Sequence, residues 1–361
     1  MRIDLVDPSA FTPPYDHALA SALARAGEDV RLVTSRFAYG DVPPAAGYAV
    51  DERFYRLAVG APGSRARRAA KLAEHVPEMV AYARAAPRRA DVVHFQWLTV
   101  QPLDVHLLPR GVPTVLTAHD VLPREPRPGQ LKAQRRLYER VDHVVVHSAH
   151  GAARLAAFGL DPAKVTVIPH GAFTHLEPGA LPPELGETDP ATPVVALPGL
   201  LRPYKGLDVL LDAWHDLPGE LWIVGMPRMP LPTTLPPGVR LVPRFVSDGE
   251  LAAVLARADL VTLPYREIDQ SGVLYAALGL GRPLLLSAVG GFPEVAATGA
   301  AELVAPGDPA ALHDALARLL ADPARRAAMA AAAVGAARET YSWDAVAAAH
   351  RAVYARLLGR A

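Results

Sequence analysis

Two cationic side chains, Arg202 and Lys205, follow an apolar run in the second half of this 361-residue chain. The run, residues 194–197, ends in a Pro-Gly pair, and Gly206 then begins a segment with apolar residues at helical spacing. A strand, a loop with two cations and a helix start therefore follow one another. Cations beside the unpaired N–H groups of a helix N-terminus form an anion site, and a diphosphate is its natural ligand. The alternative is a surface loop with two solvated cations.

A second candidate anion site lies further along the same half. Residues 259–263 predict a strand, and Ser271 and Gly272 then stand where a helix should begin. A serine can cap a helix, and small residues let a phosphate approach the free N–H groups. An ordinary N-cap is the alternative for such a pair alone, but two such loops on one sheet edge favour a phosphate site. After the next strand, Gly290 and Gly291 permit a close backbone approach or a plain turn.

Apolar, β-branched runs alternate with Ala-, Leu- and Arg-rich segments along almost the whole chain. Such alternation predicts βαβ units with buried parallel strands. The predicted strands are residues 3–6, 30–34, 92–95, 114–117, 144–147 and 165–168, and then 194–197, 220–224, 239–242, 260–263, 283–287 and 302–304.

The pattern predicts an α/β fold with two Rossmann-like, doubly wound domains facing across a cleft. A Pro-, Gly- and acid-rich stretch without an apolar period separates the two series of strands and predicts a linker. The predicted divisions are an N-terminal acceptor-side domain at 1–175, the linker at 176–193, a C-terminal donor-binding domain at 194–343 and a C-terminal helix at 344–361. That helix is strongly amphipathic and is a candidate to cross back to the N-terminal domain.

Composition limits the class of protein. The formal net charge is zero, which argues against general attraction to nucleic acid. The chain has no cysteine, so disulfides and thiolate metal sites are excluded. Its first residues lack the apolar core of a signal peptide, and no apolar run approaches the roughly 18 residues of a membrane span. These features predict a soluble, cytoplasmic protein.

Several blocks of this chain resemble signatures of glycosyltransferase family 4, which comprises retaining nucleotide-sugar transferases of GT-B fold. In chain order the blocks are VIPHG, GLLRPYKGLDVLLDAW, PYREIDQSGVLYAALGLGRP and VGGFPEV. The resemblance covers nearly the whole chain and is strongest in the second half. It implies a retaining glycosyltransferase that moves a sugar from a nucleoside-diphosphate sugar to a hydroxyl acceptor.

The resemblance also implies roles for residues of the second half. Arg202 and Lys205 would bind the donor diphosphate and stabilise the charge that develops on it. The helix start and the following glycine block would complete the donor site through Gln270, Ser271, Gly272, Val273 and Gly291.

An acidic pair of the family is incomplete in this chain. The family usually has two glutamates separated by seven residues in the PYREIDQSG block, and Glu267 or Asp269 takes the first position here. The second position falls on Tyr275 or Ala277, neither of which is acidic. The first acid would hold hydroxyls of the donor sugar. Because the second family glutamate usually holds the ribose, the ribose contact must differ in this chain.

The first half carries a catalytic candidate at the end of a predicted strand. His119 follows residues 114–117, and the family has a histidine here that contacts the donor sugar near its reacting carbon. A polar residue that simply ends a strand is the alternative, but the carboxyl end of a parallel strand favours an active-site role.

Acceptor contacts are predicted at two further places in the first half. Gln96 and Trp97 end another strand, and an aromatic ring beside polar groups suits the face of a sugar, although Trp97 can also be a core residue. Tyr15 and Asp16 begin a helix where the family often has a glycine-rich loop. The alternative for this proline-rich segment is a loop that only sets the direction of the helix.

No metal and no separate cofactor are expected. The chain has neither a D-x-D nor an H-E-x-x-H motif, so cations and helix dipoles would neutralise the leaving diphosphate. The expected partners are therefore the nucleotide-sugar donor and a hydroxyl acceptor, without nucleic acid. The basic run at 64–71 predicts a solvated helix face, with a membrane-docking helix as the alternative.

Two other functions remain open at this level. One is another GT-B enzyme, such as a nucleotide-sugar epimerase or a phosphorylase. The other is a non-catalytic nucleotide-sugar-binding partner subunit, which the missing second glutamate favours.

Overall fold

The computed structural model describes residues 1–38, 40, 42–58, 64–98 and 100–360 of the chain. By contact these residues form two compact units. The first is Met1–Pro169 together with Trp343–Ala361, and the second is His170–Ser342. Each unit is built on one parallel β-sheet.

The sheet of the first unit has seven strands in the order β3-β2-β1-β4-β5-β6-β7. The strands are β1 (Arg2–Asp7), β2 (Asp29–Ser35), β3 (Ala49–Phe54), β4 (Val92–Phe95), β5 (Thr114–Thr117), β6 (His143–Val146) and β7 (Val165–Val167). The helices between them are α1 (Pro13–Arg25), α2 (Arg65–Arg89), α3 (Gln101–Leu107), α4 (Gln130–Arg140) and α5 (Ala149–Ala157). The strand order reverses between β1 and β4, and ligands of doubly wound sheets bind at the carboxyl ends of strands near such a reversal.

The sheet of the second unit has six strands in the order β10-β9-β8-β11-β12-β13. The strands are β8 (Val194–Pro198), β9 (Glu220–Val224), β10 (Val239–Val242), β11 (Leu260–Leu263), β12 (Leu284–Ser287) and β13 (Ala301–Val304). The helices are α6 (Leu207–Ala213), α7 (Asp248–Arg257), α8 (Gly272–Gly279), α9 (Phe292–Ala296), α10 (Pro309–Ala321) and α11 (Pro323–Arg338). The corresponding reversal lies between β8 and β11.

The central strands are mostly apolar because both of their faces are buried. Every residue of β4, β5, β8, β11 and β12 is buried, as parallel sheets covered by helices require. All twelve predicted strands occur in the structure. Only β3 was missed: it is an edge strand with the polar sequence AVDERF, and most of its residues are at least partly exposed.

The bounds of the two units differ from the predicted domains. Residues 170–193, predicted as the end of the first domain and a linker, group with the second unit. Leu185 is fully buried, and the N–H of Gly179 donates a hydrogen bond to the carbonyl of Gly249. The proline-rich stretch is therefore packed onto the second unit rather than suspended as a separate linker.

The last helix, α12 (Trp343–Leu357), groups with the first unit. Arg351 on α12 is ion-paired with Glu28 at 2.6 Å, and Asp344 is paired with Arg25 of α1 at 2.7 Å. Its inner face carries His350 and Tyr354, both fully buried. Tyr354 Oη lies 2.7 Å from Nδ1 of His94 in β4.

Burial of histidines makes the first unit sensitive to acid. Desolvation lowers the pKa of His94, and it lowers the pKa values of His147 and His350 to about 4. The unfolded chain, with histidine pKa values near 6.5, binds more protons than the folded one below that pH. Stability is therefore fully present above about pH 6.5 and falls as the pH approaches 4.

We expect the variant His350→Leu to lose less stability on acidification than the unchanged protein. At pH 5, a single histidine with a folded pKa of about 4 costs on the order of 2 kcal/mol relative to neutral pH. Thermal unfolding of both proteins between pH 7.5 and pH 5 measures the difference. Parallel melting profiles would show that His350 is not held neutral by burial.

Candidate active site

The carboxyl ends of neighbouring strands in the first unit carry four polar residues, of which Gln96 and His119 were predicted from the sequence. Asp7 ends β1, Gln96 follows β4, His119 follows β5 and His147 follows β6. All four side chains are buried or nearly so. The parallel topology thus brings to one sheet edge residues that are separated by up to 140 positions in the chain.

His119 lies at the centre of this edge. The indole of Trp97 stacks on its imidazole with ring centroids 5.0 Å apart and an interplanar angle of 12°. The ring of Tyr15 meets it edge-on at 4.7 Å. Gln96 Oε1 lies 3.3 Å from His119 Nε2. His119, Gln96, Trp97 and Tyr15 therefore form one cluster, which joins residues that follow two strands to a residue of α1.

A second histidine, which sequence reasoning missed, orients His119. His147 is neutral because burial lowers its pKa to about 4, and its Nδ1 lies 3.0 Å from the carbonyl oxygen of Ile168. Nδ1–H must donate to that carbonyl, which leaves Nε2 as an acceptor. His119 Nδ1 is 3.2 Å from this Nε2 and donates its proton to it. The position of His147 just after β6, equivalent to that of His119 after β5, is the signal that could have identified it.

Tyr15 and Asp16 are both buried, with about 1% of each residue exposed. The ring of Tyr15 packs between His119, His147 and Trp343 of α12. The Nε1–H group of Trp97 donates a hydrogen bond to Thr12 Oγ1 at 2.8 Å, which holds the indole ring in this region. Tyr15 and Trp97 thus pack around His119, whereas acceptor contact by either residue stays a prediction.

The second unit contains a lysine, Lys205, that is mostly buried. It ends a short 3₁₀ turn, Pro203–Lys205, and only 7% of the residue is exposed. Its Nζ lies 4.9 Å from the ring centroid of Tyr265. Within the described ranges this ammonium makes no hydrogen bond and no ion pair. A cation on a mostly buried side chain is normally paired, so this ammonium is available to an anion from outside the protein.

Gly199 shows that the loop of Lys205 and the start of α8 lie together. A methyl group at Gly199 would be 3.0 Å from Lys205 Nζ and 2.9 Å from Val273 Cγ2. Val273 is the second residue of α8, whose first N–H groups have no partner within the helix. At Gly272, the first residue of α8, an added methyl group would meet no atom within 4 Å. The structure thus brings a cation and an open helix N-terminus together, as an oxyanion site requires.

Arg202 has a different environment from Lys205. Its side chain is exposed, and it makes no hydrogen bond or ion pair with any described residue. The nearby cation Arg266 is engaged with Asp208 through two hydrogen bonds of 2.7 and 2.6 Å. Arg202 is therefore free to bind a ligand, while Arg266 ties its own loop to α6.

The two acidic candidates differ in burial. Glu267 is exposed, whereas only 3% of Asp269 is exposed. Ile268 lies between the two acids in the chain, and its carbonyl group packs against Gly290. A methyl group added at Gly290 would lie 1.9 Å from that carbonyl oxygen. Gly290 has φ +55°, so both its conformation and its contact require glycine. The role of either acid in holding a sugar stays a prediction.

The remaining donor-site candidates lie around α8 and α9. Ser271 is the N-cap residue of α8, but its hydroxyl makes no capping bond, contrary to the expected serine cap. Gln270 Oε1 accepts a 2.8 Å hydrogen bond from Tyr275 Oη, and His170 stacks on Tyr275 at 4.3 Å. Gly291 is the N-cap of α9 with an ordinary φ of −82°.

Buried polar atoms without partners cluster in the same part of the second unit. They are Thr262 Oγ1, Tyr265 Oη, Gln270 Nε2 and Ser287 Oγ. They belong to β11, to the loop that follows it and to the end of β12. Because native proteins rarely leave such atoms unsatisfied, they indicate polar ligand or water sites, and the ring of Tyr265 lies beside the Lys205 ammonium. Sequence reasoning missed Thr262, Tyr265 and Ser287, since serine, threonine and tyrosine in or just after a strand carry no distinguishing pattern.

No group of three potential metal-ligating side chains occurs among the described residues. Within the same ranges, every helix is too short or too polar to span a lipid bilayer.

Comparisons with known proteins agree with this geometry. A model described as Glycosyl transferases group 1 matches residues 192–322, and one described as Glycosyltransferase Family 4 matches residues 15–175. A D-inositol 3-phosphate glycosyltransferase of Actinosynnema mirum is 32% identical over 90% of this chain and 87% of its own. A GDP-mannose:glycolipid 4-beta-D-mannosyltransferase of Xanthomonas campestris pv. campestris is 29% identical over 58% of this chain and 64% of its own.

Among solved structures, sucrose-phosphate synthase from Thermosynechococcus elongatus superposes with a TM-score of 0.75 at 20% identity, over 100% of both chains. The two doubly wound units and this likeness define the class as an α/β protein of GT-B fold, which confirms the predicted fold class. The chain belongs to glycosyltransferase family 4 and is a glycosyltransferase.

Proposed function

We propose that this enzyme transfers a sugar from a nucleoside-diphosphate sugar to a hydroxyl acceptor with retention of anomeric configuration. The observation that carries the proposal is the mostly buried side chain of Lys205, whose ammonium has no anionic partner among the described residues and lies beside the N-terminus of α8. A diphosphate supplies the missing negative charge and accepts hydrogen bonds from the free N–H groups of the helix.

In the proposed reaction, the bond between the anomeric carbon and the diphosphate oxygen breaks, and the acceptor oxygen bonds to that carbon on the same face. The acceptor proton passes to the departing phosphate oxygen, so no separate general base is required. Lys205, Arg202 and the amides at Gly272 and Val273 would stabilise the charge on the leaving diphosphate. Glu267 or Asp269 would hold hydroxyls of the donor sugar, and His119 would support the reacting sugar.

Support for His119 comes from the way its ring is held. Trp97 stacks on one face, and His147 accepts the proton of Nδ1. A catalytic ring fixed on several sides loses little orientational freedom when the transition state forms.

A melting screen tests the proposal directly. The purified protein is heated with UDP, GDP, ADP or dTDP and with their common sugar conjugates. A ligand at a hundredfold its Kd stabilises the folded state by about 2.7 kcal/mol, which is large enough to shift the melting temperature. A selective shift with one nucleotide supports the donor site, and NMR of the anomeric proton in the product then reports retention or inversion. Absence of a shift with every nucleotide and conjugate would refute the donor site.

Gly272→Ala separates a binding glycine from a structural one. The added methyl group meets no protein atom, so the melting temperature should stay the same or rise slightly. The same methyl group would stand where a phosphate approaches the helix, so the affinity for the nucleotide should fall about tenfold or more. The matched control is Gly335→Ala in α11, which also has open space and should leave binding unchanged. Equal nucleotide affinity in both variants would exclude α8 from the donor site.

We also propose that transfer requires no metal ion. The cationic side chains would neutralise the charge on the leaving diphosphate, as a bound metal ion does in other enzymes. Activity measured after exhaustive treatment with EDTA should equal the untreated activity within experimental error. Loss of activity that Mg²⁺ or Mn²⁺ restores would contradict this.

A further inference from the structure

The ends of four neighbouring strands in the first unit each contribute one group to a line of hydrogen-bond contacts. Gln96 follows β4, and His119 lies two residues after β5. His147 follows β6, and Ile168 follows β7. Because β4, β5, β6 and β7 are neighbours in this order in the sheet, the four groups lie in the same order along its edge.

Each group of this line is within reach of the next. Gln96 Oε1 is 3.3 Å from His119 Nε2, and His119 Nδ1 is 3.2 Å from His147 Nε2. His147 Nδ1 is 3.0 Å from the carbonyl oxygen of Ile168. The two imidazole rings therefore connect a side-chain amide at one end with a main-chain carbonyl group at the other.

The carbonyl end sets the direction of the hydrogen bonds. A carbonyl oxygen can only accept, so His147 Nδ1 carries a proton and donates it to Ile168. Burial lowers the pKa of His147 to about 4, so its ring is neutral near pH 7 and its Nε2 is an acceptor. His119 must then donate from Nδ1, because two nitrogen lone pairs that face each other repel.

The last contact requires Gln96 to turn its amide nitrogen towards His119. A neutral His119 with its proton on Nδ1 has a lone pair on Nε2, to which an amide oxygen cannot bond. With its oxygen towards His119, the amide also leaves its Nε2 buried without a hydrogen-bond partner among the described residues. A half-turn exchanges the two atoms, pairs Nε2–H with His119 and leaves only the oxygen unpaired, which buried structure tolerates more often.

The resulting relay restricts His119 to one form. Both of its nitrogens are engaged, Trp97 stacks on one face with centroids 5.0 Å apart, and Tyr15 meets it edge-on at 4.7 Å. A ring held in one tautomer and one orientation needs no rearrangement when a substrate binds. His147 is only 3% exposed, so it acts through His119 and not through contact of its own with a ligand.

We infer that His147 is a positioning residue of sugar transfer, which fixes His119 as the Nδ1–H tautomer through the relay from Ile168 to Gln96. The inference rests on the proposed function, in which His119 supports the reacting sugar, and adds the residue that holds His119 in its working form. His147 lies outside every sequence block that carries the family resemblance.

NMR of protein with ¹⁵N-labelled histidine reads the tautomer directly, since the ring nitrogens report which of them carries a proton. The signals of His119 are those that the variant His119→Asn lacks. We expect a proton on Nδ1 and none on Nε2 at pH 7.5. In His147→Leu the acceptor for Nδ1–H is lost, and the proton should move to Nε2, where Gln96 Oε1 can accept it. A proton on Nε2 in the unchanged protein, alone or together with one on Nδ1, would overturn the inference.

Kinetics of the same variants test the effect on the reaction. His147→Leu should lower kcat on the order of tenfold to a hundredfold and leave nucleotide affinity unchanged. The rate is that of cleavage of the nucleotide-sugar found in the melting screen, with water as the acceptor where no other is known. His147→Gln should restore most of kcat, because its amide can donate to Ile168 and accept from His119 at once. Equal losses in the two variants, or an unchanged kcat in His147→Leu, would contradict the positioning role.

His350→Leu is the matched control. It removes another fully buried histidine of the first unit, whose Nδ1 is bonded to the carbonyl of Val346 within α12 and not to the relay. Both kcat and the tautomer of His119 should stay unchanged. The tautomer is measured without any substrate, so it separates the two proposals. The expected tautomer in a protein that binds no nucleotide would refute the proposed function alone, whereas sugar transfer by a protein with the Nε2–H tautomer would refute only this inference.

Discussion

Replacement of Lys205 by methionine should lower kcat/KM for glycosyl transfer by about 10²- to 10³-fold, equivalent to about 2.7–4 kcal/mol of lost transition-state stabilisation. The reason is that the side chain is mostly buried while its ammonium makes no hydrogen bond or ion pair with any described residue, so its charge serves the ligand rather than the fold. Methionine has a similar length and no charge, which allows it to pack against Tyr265 in the same place. We therefore expect the melting temperature of the free protein to stay the same or to rise.

Steady-state kinetics and nucleotide affinity measure this prediction together. The control is Lys132→Met, which removes an exposed lysine of α4 and should leave both quantities unchanged. Lys205→Arg should not restore full activity, because the larger planar guanidinium cannot occupy a space bounded by Gly199 and Val273 without displacing them. Near-normal turnover in a folded Lys205→Met protein would remove Lys205 from the catalytic site.

Replacement of Gly206 by alanine should destabilise the second unit by more than about 3 kcal/mol. Gly206 has φ +68°, and an added methyl group would lie 2.0 Å from the carbonyl oxygen of Pro264. The loop cannot keep its position against Pro264, and Lys205, the preceding residue, must move with it. We therefore expect a lower melting temperature and weaker nucleotide binding in the same variant, in contrast to the pure binding loss predicted for Gly272→Ala.

Gly307→Ala is the matched control for Gly206→Ala. Gly307 has a similar φ of +74°, but an added methyl group there would meet no atom within 4 Å. It carries only the cost of a left-handed alanine, about 1–2 kcal/mol, and should leave nucleotide binding unchanged. Equal melting temperatures of the two variants would show that the contact with Pro264 does not affect stability. The proposed coupling to Lys205 would then be wrong.

The fold was predictable because a strand that is buried on both faces needs a short, mostly apolar local sequence. A parallel strand covered on both faces must be a short apolar run, so the runs at 92–95 and 260–263 identify β4 and β11 without any tertiary information. The edge strand β3 is polar, so it lacks this apolar pattern and was not predicted. The prediction of a separate linker at 176–193 differs from the structure for a related reason. Prolines and acids indicate a loop, but they do not show which surface the loop packs against.

The candidate site was predictable only as far as strand ends reveal it. His119, Lys205 and Gly272 follow apolar runs, and the carboxyl ends of parallel strands are where ligands bind. Which partners surround these residues depends on contacts between distant positions. The choice of Gly199 and Val273 as neighbours of Lys205, and of His147 as the acceptor for His119, exists only once the strands are ordered in a sheet.

By itself, the sequence determined two series of parallel strands, their order along the chain and the loops that carry cations and glycines, since all of these depend on local composition and period. Only the tertiary structure decided that Lys205 is buried without a counter-charge and that Asp269 is buried while Glu267 is exposed. Burial, charge pairing and proton sharing are properties of neighbours in space, and residues far apart in the chain become neighbours only when the sheets form.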